Sequence, residues 1–291
     1  MKSELKYAII GSGAVATALI KKLDELSRLA AVFVHSDKSY IKLRSEISEK
    51  LIFRNYEDII NLAEIFIIAV NDAAISDVAE SLSEYDIFGK LFIHTSGVYT
   101  KERLEVLQKG KAKIAAAHPF QTFFSSMPDT LTKVPWGIDS NNADYEHIAE
   151  FVELTGGIPV SLNGISKEEK ALYHLTAVLA SNMGAALLDL TKQTADAAGI
   201  DAGVFLPRII ETTINNVYRS WERNSELPLT GPVARADVKA VKLHAESMDA
   251  AGLSADSYLK LTQIAADAAL RHGLIDAEQY AQIYTITNGD N

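Results

Sequence analysis

The chain opens on a short run of uninterrupted apolar residues, Tyr7-Ala-Ile-Ile10, the pattern of a strand buried on both faces. Comparable runs recur at 31–34, 65–70, 91–93 and 114–117. Between them the apolar positions recur at helical spacing, over 15–26, 56–62, 74–82 and 101–107. Strand, helix, strand at these lengths predicts βαβ units and a doubly wound parallel sheet. A weaker unit follows: an apolar run at Trp136-Gly-Ile138, a helix over about 144–154, a stop at Thr155-Gly156-Gly157, and Ile158-Pro-Val160.

After Asn163 the strand pattern ceases. Ser166-Lys-Glu-Glu169 is a capping box, with Ser166 as N-cap and Glu169 at the third helical position. The helix it starts is expected to run about 30 residues, to Ala198-Gly199. Further helices fit 204–223, 237–250, 255–271 and 276–284. The pattern therefore predicts an α/β chain of two domains, a sheet domain at 1–163 and an all-helical domain at 164–291.

Composition narrows the function classes. The chain has no cysteine, which excludes disulfides, thiolate metal centres and a thiol nucleophile. Its net charge is −10, with 17 basic and 22 acidic residues up to Asn163 and 11 and 16 beyond it. No basic patch is set apart to meet a phosphate backbone, so nucleic-acid binding is not expected. The N-terminal MKSELKYAIIG has no long apolar run followed by a small-residue cleavage site, so it is not expected to act as a signal peptide. The longest charge-free stretch, 171–188, would fit a short membrane span, but it holds Tyr173, His174, Thr176, Ser181 and Asn182 and reads as a buried core helix. The expectation is a soluble cytoplasmic protein with no membrane partner.

Gly11-Ser-Gly13-Ala14-Val15-Ala16 stands directly after the first strand and opens the first helix. It is a G-x-G-x-x-A turn in the context that makes it a dinucleotide site. Gly11 permits the turn, Gly13 admits a pyrophosphate close to the backbone, and Ala16 keeps helix and strand together. The helix N-terminus at Ala14 and Val15 offers free N–H groups to the phosphate. The competing reading is a tight turn without ligand. At the tip of the second strand, His35, Ser36 and Lys38 stand where an NAD site places a carboxylate, which favours NADP over NAD. Asp37 is the residue that argues for NAD.

Ligands of open α/β sheets bind outside the carboxyl ends of the strands. Val70-Asn71 is expected to line the cofactor's ribose and nicotinamide side. Thr95, Ser96, His118 and Gln121 follow the next two runs, near the expected nicotinamide position. Histidine is well suited to proton transfer near neutral pH; the alternative for His118 is a structural histidine beside its X-Pro turn. Lys170, His174 and Ser181 fall within about 40° of one another on the long helix, with Asn182 at the edge of that stripe. They await either a ligand or helix–helix hydrogen bonds. In Leu229-Thr-Gly-Pro-Val-Ala-Arg235-Ala-Asp237, Arg235 offers a clamp for an anion or an ion pair with Asp237. The histidines are too dispersed for a local metal motif, and no metal is expected.

Together GSGAVA, AVND, HTSG, AAHPFQTF, KALYHLTAVLASN and LTGPVARAD resemble the Rossmann-plus-helical-domain family of NADP oxidoreductases of the deazaflavin-dependent type, with a C-terminal domain of unknown function. That family lies in the wider group of 6-phosphogluconate, β-hydroxyacid and prephenate dehydrogenases, ketopantoate reductase and pyrroline-5-carboxylate reductase. The resemblance implies a Rossmann domain, a 6-phosphogluconate dehydrogenase-like helical domain that forms a homodimer, and an active site in the cleft between them. It implies catalytic roles for Ser96 and His118, which match the serine and the His-Pro turn of prephenate dehydrogenases. Lys170 matches the helix lysine of β-hydroxyacid dehydrogenases, although His174 stands where those enzymes carry asparagine. Thr95, Gln121, Asn182 and Arg235 are then substrate-binding candidates. Two readings follow. One is an NADP-dependent oxidoreductase acting on a small anionic carbonyl, hydroxyl or imine compound. The other is a non-catalytic NADP-binding sensor or assembly protein.

Overall fold

The computed structural model describes residues 5–124 and 131–289. Eight strands form one sheet in the order β3-β2-β1-β4-β5-β6-β7-β8. They are β1 Tyr7–Ile10, β2 Leu29–Phe33, β3 Ile52–Phe53, β4 Ile65–Ile68, β5 Leu91–His94, β6 Lys113–Pro119, β7 Pro135–Asp139 and β8 Ile158–Ser161. The helices between them are α1 Ala14–Glu25, α2 Asp37–Leu43, α3 Tyr56–Ile60, α4 Ile75–Leu82 and α5 Asn142–Leu154. The strand order reverses at β1, which has β2 on one side and β4 on the other, both parallel. That reversal opens a crevice at the carboxyl ends of β1 and β4, where a doubly wound sheet takes its ligand.

The apolar runs of the inner strands are buried as a two-sided sheet requires, whereas Ile158 and Val160 of the edge strand β8 are exposed. Every residue of β1, β4 and β5 is buried. α1 packs on one face through Ala16, Leu19, Ile20 and Leu23, the spacing of one helical face. On the other face the stacked Phe66 and Phe92 rings, 4.9 Å apart, pack with Ile59, Ile75 and Leu104.

Several features depart from the sequence reading. One pairing, β6 with β7, is antiparallel. β3 has two residues, too few to leave a pattern. Residues 37–43 form α2, capped by Ser36, whose hydroxyl accepts the Ser39 N–H at 3.2 Å. The expected α-helix near 101–107 is a 3-10 helix over Lys101–Gly110.

Beyond β8 the chain is helical: α6 Lys167–Ala177, a π-helical turn Val178–Met183, α7 Gly184–Ala197, α8 Ala202–Arg223, α9 Val238–Ala250, α10 Ala255–Arg271 and α11 Ala277–Thr287. The capping box forms, with Ser166 Oγ accepting the Glu169 N–H and Glu169 Oε2 accepting the Ser166 N–H. The chain divides into two compact units, residues 1–183 and 184–291. The strands end at β8, while the first unit also takes in α6 and the π turn. The second unit has its own small core of Val233, Ala266, Ala269, Ile275 and Ile283.

The long helix corrects one expectation. Its apolar window within 167–197 is long and apolar enough to cross a membrane by length and composition, and none of that window is buried in the protomer. Leu172, Leu175, Leu179, Met183, Leu187 and Leu188 are exposed. Helical apolar periodicity marks a face that wants cover, without saying whether the same chain supplies it. In α8 the exposed Val204, Phe205, Ile209, Ile214, Tyr218 and Trp221 make the same point.

Candidate active site

The glycine turn is built by backbone packing. Gly11 sits at φ +129°, and a Cβ there would come within 2.2 Å of the Ala69 carbonyl oxygen. Gly13 is the N-cap of α1, and a Cβ there would meet nothing within 4 Å. No side chain caps α1, and its first turn holds no acidic residue. Its leading N–H groups thus face open space with the positive end of the helix dipole behind them, as a pyrophosphate site requires. Lys42 brackets the turn from α2, donating to the Ser12 carbonyl at 3.1 Å and the Thr17 hydroxyl at 3.3 Å.

Hydroxyls gather at the tip of β2. Ser12 Oγ and Ser36 Oγ both donate to Ser39 Oγ, at 2.7 and 2.9 Å, which leaves the Ser39 proton free to point outward. Asp37 is turned away. Its carboxylate accepts from Arg54 Nη1 at 2.7 Å, while Arg54 Nη2 donates to the His35 carbonyl at 2.9 Å.

A cavity of about 1020 Å³ runs from this turn along the strand tips. Gly11, Gly13, Ala14, Val15, His35, Ser36, Val70, Asn71, Thr95, Ser96, His118, Gln121 and His174 all line it. The space and the uncapped helix end fit a dinucleotide.

At that far end the polar groups are packed tightly. His94 is fully buried; its Nε2 donates to the Thr100 carbonyl at 2.9 Å and its Nδ1 accepts the Ser96 N–H at 3.2 Å. Burial lowers its pKa to about 4, so it is a neutral brace for the loop after β5. Ser96 Oγ accepts the N–H groups of Val98 and Tyr99, both at 3.3 Å, and keeps its own proton to donate. His118 Nδ1 lies 3.1 Å from the Tyr173 hydroxyl. Burial, and then the charge of Lys170, pushes His118 down to about 3. Gly97 lies between the two histidines: a Cβ there would come within 2.4 Å of His174 Nδ1 and 2.9 Å of His118 Nε2. His174 Nδ1 is buried without a hydrogen-bond partner among the described residues.

Lys170 is the unusual charge. It is 0% exposed, and its Nζ has no hydrogen-bond partner among the described residues. It lies over the Tyr173 ring, 4.9 Å from the centroid. Burial lowers its pKa to about 8, with Asp139 acting in the opposite sense. The Asp139 carboxylate is already bound by Lys101, through the backbone N–H at 2.9 Å and Nζ at 3.0 Å.

The remaining candidates fall outside the lining. Ala16 is wholly buried beneath the turn. Lys38 is exposed on α2 and Asn182 on the π turn, and neither lines the cavity. Arg235 ends a 3-10 turn of the second unit, Val233–Arg235. The Asp237 carboxylate caps α9 through the Ala240 N–H at 3.1 Å. Sequence reasoning missed five residues: Ser39, Lys42 and Arg54 around the glycine turn and the β2 tip, and Gly97 and Tyr173 around His118. Tyr173 left a usable signal, an aromatic three residues after Lys170 and so on the same helix face. Among the described residues no group of three or more His, Cys, Asp or Glu is arranged to hold a metal.

Known proteins share this architecture. Residues 6–97 match the family described as NADP oxidoreductase coenzyme F420-dependent. Residues 134–265 match a domain of unknown function, DUF2520. No curated protein matches the chain. A candidate NADP oxidoreductase from Bacteroides fragilis is similar at TM-score 0.71 and 20% identity, over 91% of this chain and 98% of that one. An imine reductase from a Pseudomonas species follows at TM-score 0.67 and 18% identity, over 98% and 100%. A reductive aminase from Aspergillus terreus, in complex with NADPH and ethyl levulinate, has TM-score 0.67 and 16% identity, over 97% and 99%. At these identities the structural likeness establishes the fold. The two family matches fall in order along the chain, the NADP oxidoreductase, coenzyme F420-dependent, match first and the DUF2520 match second.

Proposed function

We propose that the protein is an NADP-dependent oxidoreductase that moves a hydride between NADP(H) and a small anionic carbonyl, hydroxyl or imine compound. One observation carries the reading. A single cavity has an uncapped helix N-terminus and an open Gly13 face at one end, and His118, His174 and Ser96 at the other. A nicotinamide cofactor supplies or accepts the hydride. The α1 N–H groups and Lys42 hold the pyrophosphate. Ser36, Ser39 and Arg54 receive the 2′-phosphate, and the engagement of Asp37 by Arg54 removes the carboxylate that would favour NAD. His118 exchanges a proton with the reacting oxygen at Nε2, and Ser96 donates to that oxygen. Lys170, behind them, stabilises negative charge through its buried ammonium. Thr95 and Gln121 contact the substrate from the cavity wall.

The fold likeness to an imine reductase and a reductive aminase, one of them complexed with NADPH, supports the same class of chemistry. We also propose a homodimer, because α8 exposes apolar side chains around its circumference, which a second copy would cover.

The decisive experiment is thermal unfolding with NAD, NADP and their reduced forms. Ligand at 100 times its Kd stabilises the folded protein by about 2.7 kcal/mol, a shift of several degrees. NADP(H) is expected to raise the midpoint and NAD(H) to raise it less; no shift with either would refute the reading. Once a substrate is found, His118→Ala is expected to lose about 10²–10⁴-fold in turnover while NADPH affinity holds. Tight NADPH binding with no turnover on hydroxy acids, ketones or imines would instead assign a cofactor-binding sensor.

A further inference from the structure

We propose that Tyr173 is a positioning residue: it holds His118 as the neutral Nε2–H tautomer, so that the site meets its substrate with a hydrogen-bond donor and selects a carbonyl oxygen over an iminium cation as the reacting group. The inference rests on the oxidoreductase reading above and deepens it.

The Tyr173 hydroxyl is clamped from one side. It lies against β7 at Gly137, where a Cβ would come within 2.6 Å of the phenol oxygen. The O–H needs an acceptor, and an Nδ1–H on His118 would donate to the phenol oxygen and leave that need unmet. Among the described residues the one within reach is His118 Nδ1, at 3.1 Å. Burial pushes the phenol up to about 12, so it keeps its proton to donate. His118 itself stays neutral, because burial and Lys170 oppose its second proton. A neutral imidazole carries one N–H; if Nδ1 accepts from Tyr173, the hydrogen is on Nε2.

Nε2 faces the backbone of Gly97 at the tip of β5, on the wall of the cavity. A donor there pairs with a lone pair. A carbonyl oxygen has two, and an iminium nitrogen has none. Lys170 adds to the discrimination, since its charge bears on His118 and its ammonium is unpaired among the described residues. Asp139, the nearby buried carboxylate, is taken by Lys101. The carboxylates that do line the cavity, Asp72 and Asp77, follow β4, and Asp72 bears on His94, not on His118. The reacting end therefore welcomes an acceptor that gains negative charge and repels a cation.

The test is side-chain nitrogen NMR on the full chain labelled with 15N-histidine, with and without NADP⁺. His118 is expected as a single Nε2–H tautomer from mildly acid to mildly alkaline pH. Tyr173→Phe is expected to release Nδ1 and give a mixture of both tautomers, with NADP⁺ binding unchanged. Pyruvate added to the NADP⁺ complex is expected to shift the His118 Nε2–H resonance, and N-methylpyrrolinium is not. An Nδ1–H form in the unmodified protein, or an unaltered single tautomer in Tyr173→Phe, overturns the assignment. A shift with N-methylpyrrolinium as large as that with pyruvate overturns the selection. Loss of NADP⁺ binding in the unmodified protein would strike the oxidoreductase reading instead, and the tautomer can still be read without cofactor.

Discussion

Gly97 sets the spacing of the two histidines that face the cavity. Its backbone lies outside the left-handed region; what it lacks is a side chain, and both rings close over that gap. Gly97→Ala is expected to push His118 and His174 apart, lowering the thermal midpoint and abolishing turnover while NADPH still binds. Isothermal titration beside thermal unfolding checks the split. Lys170 is the second residue with a clear outcome. Its pKa in the folded protein is about 8 against an ordinary 10.5. The unfolded chain therefore binds more protons between those values, and stability rises with pH across that window. Below pH 8 the folded protein carries the whole penalty, on the order of 3 kcal/mol. Lys170→Met is expected to be more stable than the parent at neutral pH, with the gap closing as pH approaches 10.5, as read by urea unfolding. A buried ammonium with no hydrogen-bond partner among the described residues is a poor structural choice, and that is the ground for proposing it as part of the chemistry.

Among the elements, α8 gives the sharpest test. It spans Ala202–Arg223, and most of its side chains are exposed in the protomer, Phe205 and Trp221 at 61% and 70%. A 22-residue helix with such a surface gains its stability from packing. Phe205→Glu with Trp221→Glu is expected to convert a dimer to monomers in sedimentation velocity; a monomeric parent at micromolar concentration would refute the dimer. The elements also show what a sequence can carry. Two-sided strands such as β1 and β4 are legible because burial leaves no polar position in them. The capping box at Ser166 is legible because its two hydrogen bonds are local. β3 was not, since Ile52-Phe53 is a strand only by pairing with Val32 and Phe33. The antiparallel pairing of β6 and β7 is equally a property of two segments and leaves no period in either. The site divides the same way. The glycine turn is contiguous and was readable, whereas the contact of Tyr173 with His118 spans 55 residues.

At the scale of the molecule, two acid-sensitive terms act together. The net charge of −10 at pH 7 falls to nothing near the isoelectric point of about 5.2. Over the same range His94 resists protonation, with a folded pKa of about 4 against 6.5, and His118 with about 3. The unfolded chain then binds more protons than the folded one, so stability falls as pH drops below about 6.5. Loss of charge and loss of stability thus coincide. Light scattering is expected to show aggregation setting in toward pH 5, reached later in His94→Gln, whose amide can keep the hydrogen bond to the Thr100 carbonyl without titrating.

The two glycines of the first turn answer to different masters. Gly11 is required by the Ala69 carbonyl oxygen, a part of the sheet itself; Gly13 faces only empty space. A descendant of this chain that ceased to use a nucleotide would still have to keep Gly11 to fold. At Gly13 it would be free to drift. Among related sequences, retention of the first glycine is therefore a mark of ancestry, and retention of the second a mark of continued use.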